Sequence, residues 1–246
     1  MFALGVVTLV VCAPGYPGSR AEAQPTMDAL ARALSRASGQ EIQAVYEEAE
    51  AKGLERLSRK DVALLLSPLP FWFTHRTKLK LDAKLTAVPQ GGAPLEQWTL
   101  VAGKGHPASL EGYAALSTAG YAPQFVHAVA PALPGDAKVE QTANVLTALR
   151  RASNGEKVAV LLDGTQSAAL EKLPFAAQLE TVQTSPKVPG ALVSVVAARL
   201  DRKRAQALLQ AFQRLSQSDE GRAALAGAQL SGFVAVDAAA LAALHP

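Results

Sequence analysis

One feature constrains this chain more than any other: short apolar runs rich in β-branched residues alternate with longer stretches in which apolar residues recur at helical spacing. Leu4 to Val11, Asp61 to Ser67 and Lys157 to Asp163 are runs of the first kind, too short for core helices and bounded by turn residues. They predict strands buried on both faces, which a chain achieves when helices cover both sides of a largely parallel sheet. The expected class is therefore α/β. A stretch from Ser19 or Arg20 to Ala37 carries Ala, Leu and Met at helical spacing and stops at Gly39. Tyr46 to Leu57 predicts a second helix, and Pro70 to Lys78 a short one carrying Phe71, Trp72 and Phe73. Leu85 to Val88 and Gln97 to Ala102 predict strands on either side of a Gly91-Gly92-Ala93-Pro94 turn.

A second cycle opens at Gly103-Lys104-Gly105-His106-Pro107, where Gly and Pro cluster directly after a strand and suggest a lobe boundary. Ala114 to Thr118 reads as a strand, Gln124 to Val129 and Thr142 to Ser153 as helices, and Lys157 to Asp163 as the clearest strand in the chain. Asp163-Gly164-Thr165 then enters a helix, Gln166 to Lys172, through a capping turn. Thr181 to Gln183 and Leu192 to Ala197 predict two further strands. The chain closes with helices over Asp201 to Ser216 and Asp219 to Ala226 and a return at Gly232 to Asp237. At 246 residues it exceeds the usual single core, so two lobes are the natural expectation.

Composition narrows the function classes. The net charge of +3 is mild, and the bases are spread along the chain beside acids, as in Asp201-Arg202-Lys203-Arg204. That pattern is a solvated face and excludes a concentrated nucleic-acid surface. Cys12 is the only cysteine and lies in an apolar run, which predicts a buried structural thiol and no intramolecular disulfide. Phe2 to Ala13 followed by Ala21-Glu22-Ala23 imitates a signal peptide, but no Lys or Arg precedes the run, and Pro14 to Ser19 looks like a strand-to-helix turn. Leu4 to Val11 is therefore expected to be a core strand, with any export signal lying outside this sequence. No run approaches the roughly 20 apolar residues that span a bilayer. His75, His106, His127 and His245 show no metal-ligand spacing, and neither nucleotide-binding glycine loops nor a Gly-x-Ser-x-Gly elbow occur. No metal, cofactor or catalytic residue is expected.

Four stretches, in order, carry a resemblance. They are the first strand leading into Pro14 to Ser19 and a Gln24-Pro25 helix; Asp61 to Pro68 with Phe71 to Phe73 and His75-Arg76; Ser109-Leu110-Glu111-Gly112 followed by Ser117-Thr118 and Pro123-Gln124-Phe125; and Ser218 to Arg222 followed by Leu230 to Phe233. Together they resemble the phosphate/phosphite/phosphonate substrate-binding proteins of ABC transporters, which have the type 2 periplasmic-binding-protein fold. The resemblance implies lobe one over residues 1–102 and 193–246, lobe two over 103–188, and a hinge of two crossing strands near 103 and 189–192. It implies a small anionic, phosphonate- or phosphate-like ligand in the inter-lobe cleft, a membrane permease as partner, an extracytoplasmic location, a monomer, and neither enzymatic activity nor nucleic-acid binding.

Open α/β sheets bind ligands beyond the carboxyl ends of their strands, which selects the same places. Ser117 and Thr118 end a strand before Gly120-Tyr121-Ala122-Pro123, where hydroxyls and backbone N–H groups can converge on an anion. Gly120 and Tyr121 belong to that candidate turn. Ser67 ends its own strand, and Tyr16 with Pro14 can wall a bound group. Asp163 ends the strongest strand and can accept from a cationic or hydroxyl group or simply cap its helix. Two alternatives stay open. A sensory or interaction module on the same fold is favoured by Ala119 and Ala122, which thin the Ser/Thr cluster. A small-carboxylate enzyme on the same fold would need Asp163 as its acid or base.

Overall fold

The opening apolar run forms strand β1 (Val7–Cys12), every residue of it buried, in a computed structural model that describes residues 5–16, 18–196 and 199–244. Leu4, Pro17, Ala197 and His245, named above in the expected elements and among the histidines, lie outside the described residues. Helix α1 (Arg20–Ser38) begins where Ser19 and Glu22 close a reciprocal capping box and ends at Gly39, whose φ of 67° is the left-handed conformation glycine adopts freely.

The expected helix from Tyr46 is corrected at its start. Tyr46 closes a strand, β2 (Ile42–Glu47), and helix α2 (Glu50–Leu57) begins after it. Ile42, Ala44 and Tyr46 are buried while Gln43 is exposed, a period of two. Pairing to β1 in parallel register, from Val7 opposite Ile42 to Cys12 opposite Glu47, overrides local propensity. Strand β3 (Val62–Pro68) lies on the other side of β1, and helix α3 (Leu69–Leu79) follows it directly into β4 (Leu81–Pro89), a longer strand than the expected Leu85 to Val88.

A second set of elements comes next: β5 (Leu95–Glu96), β6 (Thr99–Gly103), β7 (Ala114–Ser117), α4 (Pro123–Val129), β8 (Val139–Gln141), α5 (Val145–Ser153), β9 (Val158–Leu162), α6 (Gly164–Leu170), β10 (Leu179–Thr184) and β11 (Val188–Pro189). They build a five-stranded sheet in the order β10-β6-β9-β7-β8, while β5 and β11 pair as a separate two-stranded ladder. Strand β7 runs parallel to both β8 and β9, whereas β6 runs antiparallel to β9 and β10. Val101, Leu116, Leu149, Val160 and Leu162 form the core of this set, and the Trp98 ring meets Phe125 edge-on at 5.0 Å.

The chain then returns as β12 (Ala191–Val196), α7 (Arg202–Arg214), α8 (Asp219–Gly227), β13 (Leu230–Ala235) and α9 (Ala238–Ala242). Strand β12 inserts between β3 and β4, completing a six-stranded sheet in the order β13-β4-β12-β3-β1-β2. Met27 and Leu30 of α1, Leu208 and Phe212 of α7 and Leu225 of α8 pack on one of its faces.

The chain thus divides into two compact units. The first holds the described residues up to Pro14, Gly18–Pro94 and Pro189–Asp237; the second holds Gly15, Tyr16, Leu95–Val188 and the chain from Ala238. The first passage falls at Pro94, earlier than the expected boundary at Gly103. The reason is that Leu100, Val101 and Ala102 are buried and β6 is hydrogen-bonded into the second unit's sheet on both sides. The C-terminal segment from Ala238, expected in lobe one, groups with the second unit. Among the described residues no helix is long and apolar enough to cross a membrane.

Candidate functional site

In the second unit the candidate residues gather around the carboxyl ends of β7 and β9. Ser117 is fully buried: its hydroxyl donates to the Leu161 carbonyl at 2.9 Å and accepts from the Ala119 N–H at 3.1 Å. That hydroxyl therefore ties β7 to β9. Thr118 follows it, 7% exposed, and its carbonyl oxygen lies against Gly15. A Cβ at Gly15 would sit 2.1 Å from that oxygen, and Gly15 has φ of +83°, so only glycine brings the Tyr16 loop this close. Gly120 is held for a different reason, since a Cβ there would lie 2.3 Å from the Glu140 carbonyl group. Tyr121, half-buried, completes the turn.

Asp163 is 4% exposed and caps α6 in a full capping box: its Oδ1 accepts the Gln166 N–H at 2.8 Å, and the Gln166 side-chain oxygen accepts the Asp163 N–H at 3.2 Å. Burial raises its pKa above the ordinary value although the Gln166 and Thr165 N–H groups pull it down. Glu96 joins it, a residue the sequence reasoning missed. Its Oε2 accepts the Gly164 N–H at 3.2 Å, and a Cβ on Gly164 would lie 2.6 Å from the Glu96 Cβ, so glycine makes room for it. Burial first, and the Asp163 charge second, push the Glu96 carboxyl up to about 7. Tyr16 keeps 41% of its surface exposed, yet burial and then the charges of Asp163 and Glu96 push its phenol above its ordinary range. It remains a hydrogen-bond donor at all working pH values. The only sequence signal for Glu96 was an acid set between the Gly91 to Pro94 turn and the strand beginning near Gln97.

The structure therefore brings Tyr16, Asp163 and Glu96 into one electrostatic cluster and seats the Tyr16 loop on Thr118. A phenol O–H, a carboxyl that titrates near neutrality and a buried carboxylate can donate to and accept from a polar solute.

In the first unit Ser67 is the penultimate residue of β3, 2% exposed, and its hydroxyl has no hydrogen-bond partner among the described residues. Phe71, Trp72 and Phe73 are buried in α3, in the core. The Arg76 guanidinium lies over the Phe73 ring at 4.2 Å and the Trp72 ring at 5.1 Å. His75 Nε2 sits 2.7 Å from Glu50 Oε1. Cys12 is fully buried, and burial, then Glu47 and Glu50, push its thiol up to about 12. It is a packing residue and not a thiolate nucleophile. Among the described residues no group of three His, Cys, Asp or Glu side chains is placed to hold a metal ion.

A mixed α/β chain in two such units has the architecture of the two-lobed periplasmic binding proteins. The profile of the ABC transporter, phosphonate, periplasmic substrate-binding protein family matches residues 18–241, and the chain belongs to that family. No curated protein sequence matches it. Among solved structures it is similar to a Xanthomonas citri protein bound to chloride ion, at 15% identity and a TM-score of 0.72 over 97% of this chain and 94% of the other. It is also similar to a binding protein component of an ABC phosphonate transporter from Pseudomonas aeruginosa, at 17% identity and a TM-score of 0.62 over 96% and 83%. A third is PhnD1 from Prochlorococcus marinus in complex with methylphosphonate, at 12% identity and a TM-score of 0.57 over 95% and 94%. At these identities the likenesses show the fold.

Proposed function

We propose that this protein captures a small phosphonate- or phosphate-like solute outside the cytoplasm, as a monomer, and delivers it to the permease of an ABC importer without transforming it. The observation that carries this is the family match across nearly the whole chain, joined to the arrangement at the carboxyl ends of β7 and β9. Thr118, Gly120 and Tyr121, the Tyr16 phenol, Asp163 and, in the first unit, Ser67 are the proposed binding residues. Ser117 supports the turn instead of touching solute, because its hydroxyl is committed to Leu161 and Ala119. The passages at β5 and β11 serve as the hinge.

Isothermal titration with methylphosphonate, phosphate, sulfate and small carboxylates tests this. One of these should bind, and Thr118→Ala should weaken it about tenfold through loss of one charge-assisted hydrogen bond of roughly 1.5–3 kcal/mol. Unchanged affinity in Thr118→Ala would remove that residue from the site, and no binding by any of them would remove the oxyanion class. The pairing of Glu96 with Asp163 favours a second possibility, a solute that also carries a cationic or hydroxyl donor. In that case an aminoalkylphosphonate binds more tightly than its alkyl counterpart, and Asp163→Asn abolishes the difference.

A further inference from the structure

In the first unit's sheet β1, β2, β3 and β4 all begin at one end, and β12 and β13, antiparallel to β4, finish there. Ser67, next to last in β3, stands at the opposite end. Hydrogen bonds draw the segments flanking the first of these ends together. Val196, the last residue of β12, pairs with Leu81, the first of β4. Arg199 comes next, and its Nη1 donates to the carbonyls of Leu57, Arg59 and Val62 at 2.8, 2.8 and 2.9 Å, fastening this segment to the one before β3. Arg204 donates from Nε to the Gln40 side-chain oxygen at 3.1 Å and from Nη2 to the Gly5 carbonyl at 3.0 Å, fastening the start of α7 to the turns before β2 and β1.

Bases that lie far apart in the sequence therefore share one end of the unit. Lys60 precedes β3, Lys78 and Lys80 stand at the end of α3 ahead of β4, and Arg202 and Lys203 open α7. All five are exposed, and none has an ion-pair partner among the described residues. Acids beside them are already engaged: Arg59 bridges Asp61 at 3.1 Å, Lys84 bridges Asp82 at 2.6 Å, and Asp201 caps α7 by accepting the Arg204 N–H at 2.9 Å. Glu41 and Asp237 are the other acids next to these strand ends. Leu208 and Phe212 of α7 pack with Leu64, Leu66 and Val193 on one face of the sheet, whereas the residues that alternate with those face the other way, where α3 packs. The cations thus come from both faces and are spread over the end of a layered unit, not gathered in a pocket. Val6 and Val234 are the large apolar side chains exposed near it, and no exposed aromatic is among them. A protein interface needs buried aromatic or apolar anchors at its centre, whereas an anionic lipid surface is flat and needs only exposed cations.

We propose that this end of the first unit docks on an anionic lipid bilayer, held by Lys60, Lys78, Lys80, Arg202 and Lys203. The docking does not depend on which solute the protein binds, and it leaves the opposite end of the sheet, with Ser67, uncovered.

Sedimentation with phosphatidylcholine vesicles containing about 30% phosphatidylglycerol, at about 0.05 M salt, tests this. The protein should pellet with these vesicles and not with phosphatidylcholine alone, and about 0.5 M salt should release it. Lys60→Gln, Lys80→Gln and Lys203→Gln combined should weaken binding about a hundredfold, at roughly fivefold for each lysine. Lys104→Gln, Lys172→Gln and Lys187→Gln combined remove the same charge from exposed positions of the second unit and should leave binding unchanged. All six side chains are exposed, so both triple variants should melt with wild type. Acetylation of wild-type lysines, read by mass spectrometry, requires no variant: the anionic vesicles should protect Lys60, Lys78, Lys80 and Lys203 and leave Lys104, Lys172 and Lys187 reactive. No pelleting with the anionic vesicles, equal losses in the two triple variants, or equal protection of the two groups of lysines would each overturn the proposal. Capture of the protein by polyglutamate but not by the vesicles would also overturn it and give the surface to an acidic protein partner.

Discussion

Glu96→Gln probes the second unit's cluster at its most responsive member. The Glu96 carboxyl is raised from an ordinary 4.5 to about 7, by burial first and Asp163 second, against the pull of the Gly164 N–H. Between those two values the folded protein keeps a proton that the unfolded chain has already released. The folded state then binds more protons, so stability falls as pH rises. The contribution is complete below about pH 4.5 and gone once pH has climbed through about 7. At about 1.4 kcal/mol per pH unit the whole effect is at most about 3–4 kcal/mol, reduced by the solvent that reaches a half-buried side chain. Glutamine keeps an acceptor for the Gly164 N–H and cannot titrate, and it also spares Asp163 and Tyr16 a neighbouring charge at high pH. Thermal unfolding of both proteins, followed by circular dichroism at pH 5 and pH 8, therefore gives a variant whose advantage widens by several degrees at the higher pH. A difference between the two proteins that is the same at both pH values would refute the assignment of a raised carboxyl to this site.

Three further outcomes follow from the geometry. Gly15→Ala places a Cβ 2.1 Å from the Thr118 oxygen at a φ of +83°, and is expected to destabilise by at least about 1–2 kcal/mol in urea unfolding, with the Tyr16 loop displaced. Cys12, with its thiol pushed up to about 12, should resist a chromogenic thiol reagent at pH 8 in the native protein and react completely once denatured; rapid native labelling would contradict its burial. Ser19→Ala breaks the capping box of α1 and should cost about 1 kcal/mol, measured as a lower urea midpoint, with Ser19→Asp restoring most of it.

Much of the fold was legible because burial on both faces leaves a plain mark. β1, β3 and β9 stand out as apolar runs, and the caps at Ser19, Gly39 and Asp163 are local chemistry that needs no tertiary context. Strand β2 was not legible: Tyr46 and Glu47 continue smoothly into Glu48-Ala49-Glu50-Ala51 at the start of α2, and only the ladder with β1 decides for strand. The first passage between units was placed too late because the glycines at 103 and 105 mark a turn inside the second unit, whereas Pro94 marks the boundary itself. At the site, turns at strand ends pointed to Ser117, Thr118 and Asp163, but their spare bonding capacity depends on partners far along the chain. Ser117 is engaged by Leu161, and Glu96 is set against Gly164 by a contact across 68 positions. Such pairings are set by topology, and no local pattern encodes them.

The placement of β12 bears on how the molecule is made. In the first unit's sheet β4 has only β12 and β13 as neighbours, and both are translated after the whole segment from Leu95 to Val188. A ribosome that has released residues up to Pro94 has therefore produced β4 with no strand to pair with, and β3 with one flank bare. The uninterrupted Leu95–Val188 segment meets no such delay and can close its sheet first. Early chains carry an unpaired apolar edge until the last quarter emerges, the stage at which strand addition by another molecule is the principal hazard. A truncation that ends after Pro189 would deprive the first unit of β12 and β13 and release it to aggregation, whereas the second unit's strands would all still be present.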